Sequence, residues 1–242
     1  MLAITLDVDW APDPIMDDVI AVLDARSIPS TLFCTNYKRD RSGRSSGLTG
    51  RYHERHEIAL HPNFQHIGAY DTEWDEMCAL YPSARGWRSH NGVTGWPIIK
   101  GGFTRGLRYE VYPSVFRGYV DPSPVNRALS EYFAFTTSFW DSHMLHEPGF
   151  FWTFAQLPLR ELYADDAKLV VLGFHPNILY YDMRTAAEYD ARKATFHEVD
   201  ETASHRRRRP SGAMKLFFEL LDSVPAGNFT NLSSFGSKAG FW

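Results

Sequence analysis

Short apolar runs alternate along this chain with longer amphipathic stretches, and polar or glycine-rich segments separate them. The run "LVVLGF" at 169–174 is apolar throughout, which is typical of a parallel strand covered on both faces. This run and other short segments with apolar residues predict strands or strand ends at 2–7, 30–35, 56–61, 84–90, 133–139, 169–174 and 227–235. Apolar residues at helical spacing predict helices at 13–27, 71–82, 123–132, 185–196 and 211–224.

The alternation of strands and helices favours right-handed β-α-β units, and therefore either an open doubly wound sheet or a barrel. In the first helix, Asp13 is the predicted N-cap and Pro14 the predicted first helical residue. The periodicity of residues 91–120 predicts neither a helix nor a strand. No linker divides the chain, so we expect a single domain whose strands all open onto one face at their carboxyl ends.

Composition narrows the classes of function. The 242 residues are 44% hydrophobic, and the net charge of −4 argues against a protein that binds nucleic acid. The arginines at 206–209 are interpreted as a solvated loop, and the two cysteines form neither a metal motif nor a disulfide framework. No apolar stretch approaches the roughly 20 residues of a membrane span, and no leader is evident. These features predict a soluble, cytoplasmic protein.

Two acidic residues stand at the end of the first predicted strand, in "TLDVDW". On an extended chain, the side chains of Asp7 and Asp9 point the same way, roughly 6.5–7 Å apart. One of them could instead cap the following helix while the other faces solvent, although Asp13 already offers a cap. Paired carboxylates resist joint ionisation unless a cation lies near them, so the pair is a candidate metal or catalytic site.

Histidines end two other predicted strands, His61 in "IALH" and His175 in "LGFH". Carboxylate together with imidazole is a common ligand set for hydrolytic metals. His66 follows His61 by five residues, whereas the position that a regular helix would place beside His61 is Gln65. His66 is therefore either a ligand reached through a turn or an ordinary surface histidine.

Arg88 ends a further predicted strand, in "GWRSHNG". A surface arginine is the usual interpretation, but as a partner of Asp7 its guanidinium would keep that carboxylate ionised and oriented. His90, two residues later, is either a spare metal ligand or a residue without a role in the site.

Taken in order, the segments "TLDVD", "STLFC", "RHEIALH", "RSHNG" and "VVLGFHP" resemble the polysaccharide deacetylases, carbohydrate esterase family four, with the nodulation-type chitooligosaccharide deacetylase domain. The resemblance implies a distorted (β/α)7 barrel that forms one catalytic domain over residues 1–242. It also implies a divalent metal, usually zinc, bound by one aspartate and two histidines.

Carried over by position, Asp7 resembles the general base, Arg88 the partner of that base and His175 the general acid. Asp9 and His61 resemble two of the metal ligands. The family's second metal histidine falls on Gln65. His66 is therefore the expected third ligand, with Asn63 and a histidine from elsewhere in the chain as open alternatives.

The expected activity is hydrolysis of an acyl group, N-acetyl by preference, from a sugar, for example during the synthesis of a surface polysaccharide. The expected partner is accordingly a carbohydrate and not a nucleic acid, and no membrane-spanning segment is expected. Two alternatives stay open. One is hydrolysis of another carbon–nitrogen bond, such as an amide or ureide, and the other is a metal-free barrel that binds carbohydrate or another partner. The sequence predicts no oligomeric state.

Overall fold

The structure of the 242-residue chain is a computed structural model that describes residues 1–36, 52, 54–64, 70–112, 126–129, 132–157, 169–199 and 209–241. The described strands are β1 (Leu2–Asp7), β2 (Ser30–Cys34), β3 (Glu57–Leu60), β4 (Gly86–Trp87), β5 (Tyr109–Tyr112), β6 (Asn126–Leu129), β7 (Tyr132–Trp140), β8 (Val170–Phe174) and β9 (Phe229–Thr230). The described α-helices are α1 (Asp13–Asp24), α2 (Tyr70–Leu80), α3 (Trp96–Thr104), α4 (Asp141–Met144), α5 (Pro176–Tyr180), α6 (Ala186–Arg192), α7 (Ala213–Ser223) and α8 (Leu232–Lys238).

Seven of the described strands pair in parallel and close into a barrel, in the order β1–β2–β3–β4–β5–β7–β8 and back to β1. This closed sheet confirms the predicted (β/α)7 barrel and excludes the open doubly wound sheet. The barrel is distorted because β4 has only two residues and the pairing of β7 with β8 shifts register between Thr137 and Phe139. Outside the ring, β9 pairs with β1 in parallel and β6 pairs with β7 in antiparallel fashion.

The alternation of side chains along β1 separates two apolar clusters. Leu2, Ile4 and Leu6 belong to the larger cluster, which includes the buried faces of α1 and α7. Ala3 belongs to a smaller cluster of inward-facing strand residues and residues of α8. Because successive side chains point to opposite faces of a strand, Thr5 and Asp7 lie on the inward face with Ala3. The inside of the barrel therefore becomes polar toward the carboxyl end of β1.

Two sequence predictions about helices were wrong. Residues 123–132 were expected to form a helix, but Asn126–Leu129 is the strand β6, because pairing with β7 outweighs local helix preference. At the start of α1, Pro12 precedes the helix without a side-chain cap, so Asp13 is a first-turn residue and not the N-cap. A carboxylate in the first turn still interacts favourably with the helix dipole.

The segment expected to form the last strand, 227–235, is mostly helical. Only Phe229–Thr230 pairs as β9, and α8 follows at once because the side chain of Asn231 accepts a hydrogen bond from the Ser234 N–H at 2.8 Å. Within 91–120, whose periodicity predicted no element, the structure describes α3 and β5 up to residue 112. Among the described helices, none has the length and apolar character needed to cross a membrane.

Candidate metal-dependent active site

The carboxyl ends of the barrel strands bring the candidate residues together. Asp7 is the last residue of β1, His61 and Arg88 directly follow β3 and β4, and His175 directly follows β8. Asp7, His61 and Arg88 are almost completely buried. The expectation that these distant positions meet on one face of a parallel barrel is therefore confirmed.

Arg88 holds one oxygen of Asp7 inside the barrel. Its Nη1 donates to Asp7 Oδ1 at 2.6 Å, while Nη2 donates to the hydroxyls of Thr5 and Thr137, each at 3.0 Å. The guanidinium carbon also lies 4.4 Å from the ring centre of Phe33. Charge-assisted hydrogen bonds of this kind fix the orientation of a buried carboxylate.

The second oxygen of Asp7 faces the site. Among the described residues, Asp7 Oδ2 has no hydrogen-bond partner although it is buried. It lies 4.0 Å from His61 Nε2 and 4.0 Å from His175 Nε2. A buried carboxylate oxygen without a partner costs free energy, so its position indicates a site built to receive a proton or a ligand.

Asp9 reaches the same site through a turn. β1 ends at Asp7, and Asp9 has a φ of 40°, in the left-handed region, so the extended spacing expected for the two acids does not hold. Aspartate tolerates this conformation better than most residues, and strained backbone of this kind clusters at functional sites. The side chain of Asp9 nevertheless lies beside the same two histidines, His61 and His175, as that of Asp7.

Asp9, His61 and His90 form a cluster suited to a metal ion. One ligand atom from each lies within 4.8 Å of the others. Asp9 Oδ1 is 3.3 Å from His61 Nε2 and 3.3 Å from His90 Nδ1, and these two nitrogens are 3.3 Å apart. Three donor atoms that converge this closely on one point fit a divalent cation.

Hydrogen bonding orients His61 for such a role. Its Nδ1–H donates to the backbone carbonyl of Arg88 at 2.6 Å, which directs Nε2 toward Asp9. Asp9 Oδ1 is buried and accepts no hydrogen bond from the described residues. Burial favours a higher pKa for Asp9, but the adjacent His61 and His90 outweigh this effect and lower its pKa. The donor set therefore fits a bound cation.

The position of His66 lies outside the described residues, as does that of Gln65. The sequence left three alternatives for the third ligand, namely His66, Asn63 and a histidine from elsewhere. The structure brings His90 to Asp9 and His61, from a short 3-10 turn over His90–Gly92. Among the described residues, His90 is thus the histidine from elsewhere in the chain that could complete a metal site with Asp9 and His61.

His175 faces Asp7 and Asp9 from the carboxyl end of the neighbouring strand β8. Its Nδ1 lies 2.6 Å from Asp141 Oδ1, and its backbone N–H donates to Asp141 Oδ2 at 2.7 Å. Its Nε2 lies 3.8 Å from Asp9 Oδ2. Burial disfavours the charged imidazole, but the carboxylate of Asp141, with smaller contributions from Asp7 and Asp9, raises the pKa of His175 to about 9. His175 is therefore held in its protonated form at neutral pH.

The sequence model of the WbmS-like family, described as polysaccharide deacetylase, matches residues 4–195. This chain belongs to the WbmS-like polysaccharide deacetylase family. No curated protein sequence matches the chain.

Several solved structures have a similar fold. A candidate polysaccharide deacetylase of Bordetella bronchiseptica, WbmS, described as involved in O-antigen biosynthesis, is 19% identical with a TM-score of 0.73, over 92% of this chain and 90% of that one. The family 4 acetyl xylan esterase of Clostridium thermocellum, solved with cobalt, is 13% identical with a TM-score of 0.50, over 99% and 91% of the two chains. The CE4 domain of a xylanase from the hindgut metagenome of Trinervitermes trinervoides is 12% identical with a TM-score of 0.51, over 99% and 90%. At these identities the likeness shows the fold.

In this deacetylase-family chain, sequence reasoning missed Asp141. This aspartate is completely buried, begins α4 directly after β7, and also accepts a hydrogen bond from the Ser142 N–H at 2.6 Å. The signal that could have found it is the one that found Asp7 and His175, a polar residue directly after an apolar strand. In "FAFTTSFWD", this carboxylate follows a segment whose aromatic residues are typical of a core or the rim of a cleft.

Proposed function

We propose that this chain is a divalent-metal-dependent deacetylase that removes an N-acetyl group from a sugar of a surface polysaccharide or its precursor. The observation that carries the proposal is the joint placement of a metal-binding cluster, an unpartnered carboxylate oxygen and a protonated imidazole at one end of the barrel. Membership of the polysaccharide deacetylase family supports the reaction class, and the O-antigen role described for WbmS supports the substrate class.

In this proposal, Asp9, His61 and His90 hold the cation, and His66 is not required. Imidazole and carboxylate donors suit zinc, and the related acetyl xylan esterase was solved with cobalt. A cation at this position would lower the pKa of a water molecule and polarise the acyl carbonyl. The remaining chemistry belongs to side chains of this chain.

Asp7 acts as the general base. Its Oδ1 is occupied by Arg88, so Oδ2 is the oxygen that takes the proton from the attacking water. The hydrogen bond from Arg88 limits the rotation of this carboxylate. The hydroxyls of Thr5 on β1 and Thr137 on β7 in turn accept hydrogen bonds from Arg88, which directly follows β4.

His175 acts as the general acid. Its Nδ1–H donates to Asp141, and its protonated Nε2 faces the site beside Asp7 and Asp9. Nε2 would give its proton to the departing sugar nitrogen, because an amine leaves readily only when it is protonated. Asp141 stabilises the imidazolium and fixes the ring nitrogen that faces away from the substrate.

The catalytic unit proposed here is the whole chain, residues 1–242. The family match ends at residue 195, but β9 pairs with β1, and residues of α7 and α8 belong to the two apolar clusters. The segment after residue 208 is therefore part of the barrel's own packing.

The test combines elemental analysis with acetate release. The purified protein should contain about one divalent ion per chain and should release acetate from N-acetylglucosamine oligomers. Asp9→Asn should lose both the ion and the activity, whereas Asp222→Asn, an exposed aspartate of α7, should lose neither. A protein that binds no zinc, cobalt or manganese would contradict the proposal and would favour the carbohydrate-binding alternative. A protein that binds metal, releases no acetate from the sugar oligomers and cleaves other amides or ureides would favour the other hydrolase alternative.

A further inference from the structure

The indole of Trp140 lies against the imidazole of His175. Trp140 is the last residue of β7 and is 6% exposed. The two ring centres are 6.1 Å apart and the ring planes differ by 17°, which is a stacked arrangement. The guanidinium carbon of Arg88 also lies 5.2 Å from the ring centre of Trp140. The indole of Trp140 thus lies near both His175, the proposed acid, and Arg88, the partner of the proposed base.

A glycine on the neighbouring strand makes room for this ring. Gly173 pairs with Trp140 across β7 and β8. A Cβ at Gly173 would lie 3.0 Å from Trp140 Cδ1 and 3.2 Å from Nε1, closer than ordinary contact. The missing side chain therefore lets the indole lie across β8, two residues before His175.

Packing, and not a hydrogen bond, places the indole. Trp140 Nε1 is buried and has no partner among the described residues, whereas buried tryptophans usually satisfy this group. Leaving a buried N–H unpaired costs free energy. The ring is held where it is despite this cost, which is expected when its position serves a neighbouring group.

We propose that Trp140 is a positioning residue that sets the ring plane of the general acid His175. The hydrogen bond to Asp141 fixes Nδ1 but leaves the ring free to tilt about that contact. The stacked indole restrains the tilt of the imidazole ring. Proton donation to the leaving group depends on this alignment, since small displacements of a catalytic group cost rate steeply. The inference rests on the proposed function, in which His175 is the acid.

The experiment separates acid positioning from every other part of the site by varying the leaving group. The metal-loaded protein is assayed with a series of acetate esters, from p-nitrophenyl acetate, whose leaving group needs no proton, to alkyl acetates, whose leaving group does. This series does not depend on knowing the natural sugar. Wild type should show a weak dependence of kcat on leaving-group basicity, because His175 supplies the proton.

Trp140→Leu should make that dependence steeper. We expect kcat for alkyl acetates to fall about 10–100-fold, below the full loss expected without an acid, and kcat for p-nitrophenyl acetate to fall less than about 3-fold, with KM little changed. His175→Gln should give the steepest dependence. Trp140→Phe, which retains a ring, should recover most of the wild-type behaviour. Trp96→Leu, at an exposed tryptophan, is the matched control and should leave the dependence unchanged.

Gly173→Ala provides a second, milder variant if Trp140→Leu does not fold. Its new methyl group displaces the indole without removing it, so the same leaving-group effect should appear at reduced size. Equal losses on all esters, or a change confined to KM, would overturn the inference while leaving the proposed function intact. A metal-loaded wild-type protein that releases acetate from neither the esters nor N-acetylglucosamine oligomers would contradict the proposed function and the inference together.

Discussion

The two oxygens of Asp7 have different surroundings, and the proposed role of Asp7 as the general base rests on this difference. Oδ1 accepts from Arg88 at 2.6 Å, whereas the buried Oδ2 has no partner among the described residues. Asp7→Asn keeps the shape of the side chain but removes the basic oxygen. We expect kcat for deacetylation to fall by roughly 10²–10⁴-fold, with metal content unchanged.

The same substitution removes the charge that Arg88 faces inside the barrel. Losing one partner of a buried ion pair costs about 3–5 kcal/mol, so Asp7→Asn should also unfold at lower temperature. Activity is therefore measured on protein shown to be folded by circular dichroism. If folded, metal-loaded Asp7→Asn retained wild-type kcat, Asp7 would not be the base.

The identity of the third metal ligand gives a second prediction at this scale. His90→Ala should weaken zinc binding by more than about 10–100-fold, the usual cost of losing a group that only supports a ligand. His66→Ala is the matched control and should bind zinc like wild type. Competition with a chelator of known affinity measures both variants. A loss of zinc in His66→Ala, with normal binding in His90→Ala, would return the ligand role to His66.

Residues at strand ends were predictable because a parallel barrel gathers them on one face. That argument found Asp7, His61, Arg88 and His175 from hydrophobic patterning and strand order. It left the third ligand open because His90 reaches Asp9 through a 3-10 turn whose Asn91 is left-handed, with φ 57°. Such turns have no hydrophobic period, so their side-chain directions cannot be derived from the sequence pattern.

At the scale of elements, a buried residue that is distant in sequence caps the amino end of α7. Asp182 accepts from the N–H groups of Ser211, Gly212 and Met214 at 2.7, 2.9 and 3.0 Å. These contacts satisfy donors that a helix start leaves unpaired. A Cβ at Gly212 would lie 2.4 Å from the carbonyl oxygen of Asp182, so only glycine fits this approach.

Removal of this cap should destabilise the protein measurably. Asp182→Ala leaves buried N–H groups without an acceptor, and we expect a loss of about 1–3 kcal/mol in the free energy of unfolding. Thermal unfolding should shift down by roughly 2–4 °C for each kcal/mol. Asp222→Ala, which removes an exposed partner of Arg26, should change stability by less than about 1 kcal/mol. Similar melting temperatures for the two variants would contradict the capping role.

Elements stabilised by distant partners were the ones that sequence patterning missed. The strand β6 was predicted as a helix, because its pairing with β7 is a tertiary interaction that local spacing does not reveal. In α3, Gly101 and Gly102 lie against Trp74 and Trp87, where a Cβ would come within 2.5–2.7 Å. Glycines that allow close packing interrupt the spacing of apolar residues. This explains why the sequence pattern of residues 91–120 predicts neither a helix nor a strand.

At the scale of the whole molecule, the C-terminal segment closes the end of the barrel opposite the site. Glu57, at the start of β3, accepts from the hydroxyl of Tyr109 at 2.6 Å and from the N–H of Ser233 at 2.9 Å. The hydroxyl of Thr31 accepts from the N–H of Leu232 at 3.1 Å. These contacts join α8 to the amino ends of β2, β3 and β5, so the barrel and α8 should unfold together.

Phe235 tests this coupling. It is 4% exposed and belongs to the smaller apolar cluster inside the barrel, with its ring centre 6.4 Å from that of Phe135. Phe235→Ala should lower the free energy of unfolding by about 3–5 kcal/mol, because a large buried ring is lost from the barrel interior. Urea unfolding followed by tryptophan fluorescence and by zinc release should show a single transition. Ser237→Ala, on the exposed side of α8, should behave like wild type. If both variants had wild-type stability, α8 would lie outside the cooperative unit, and the catalytic domain would end before it.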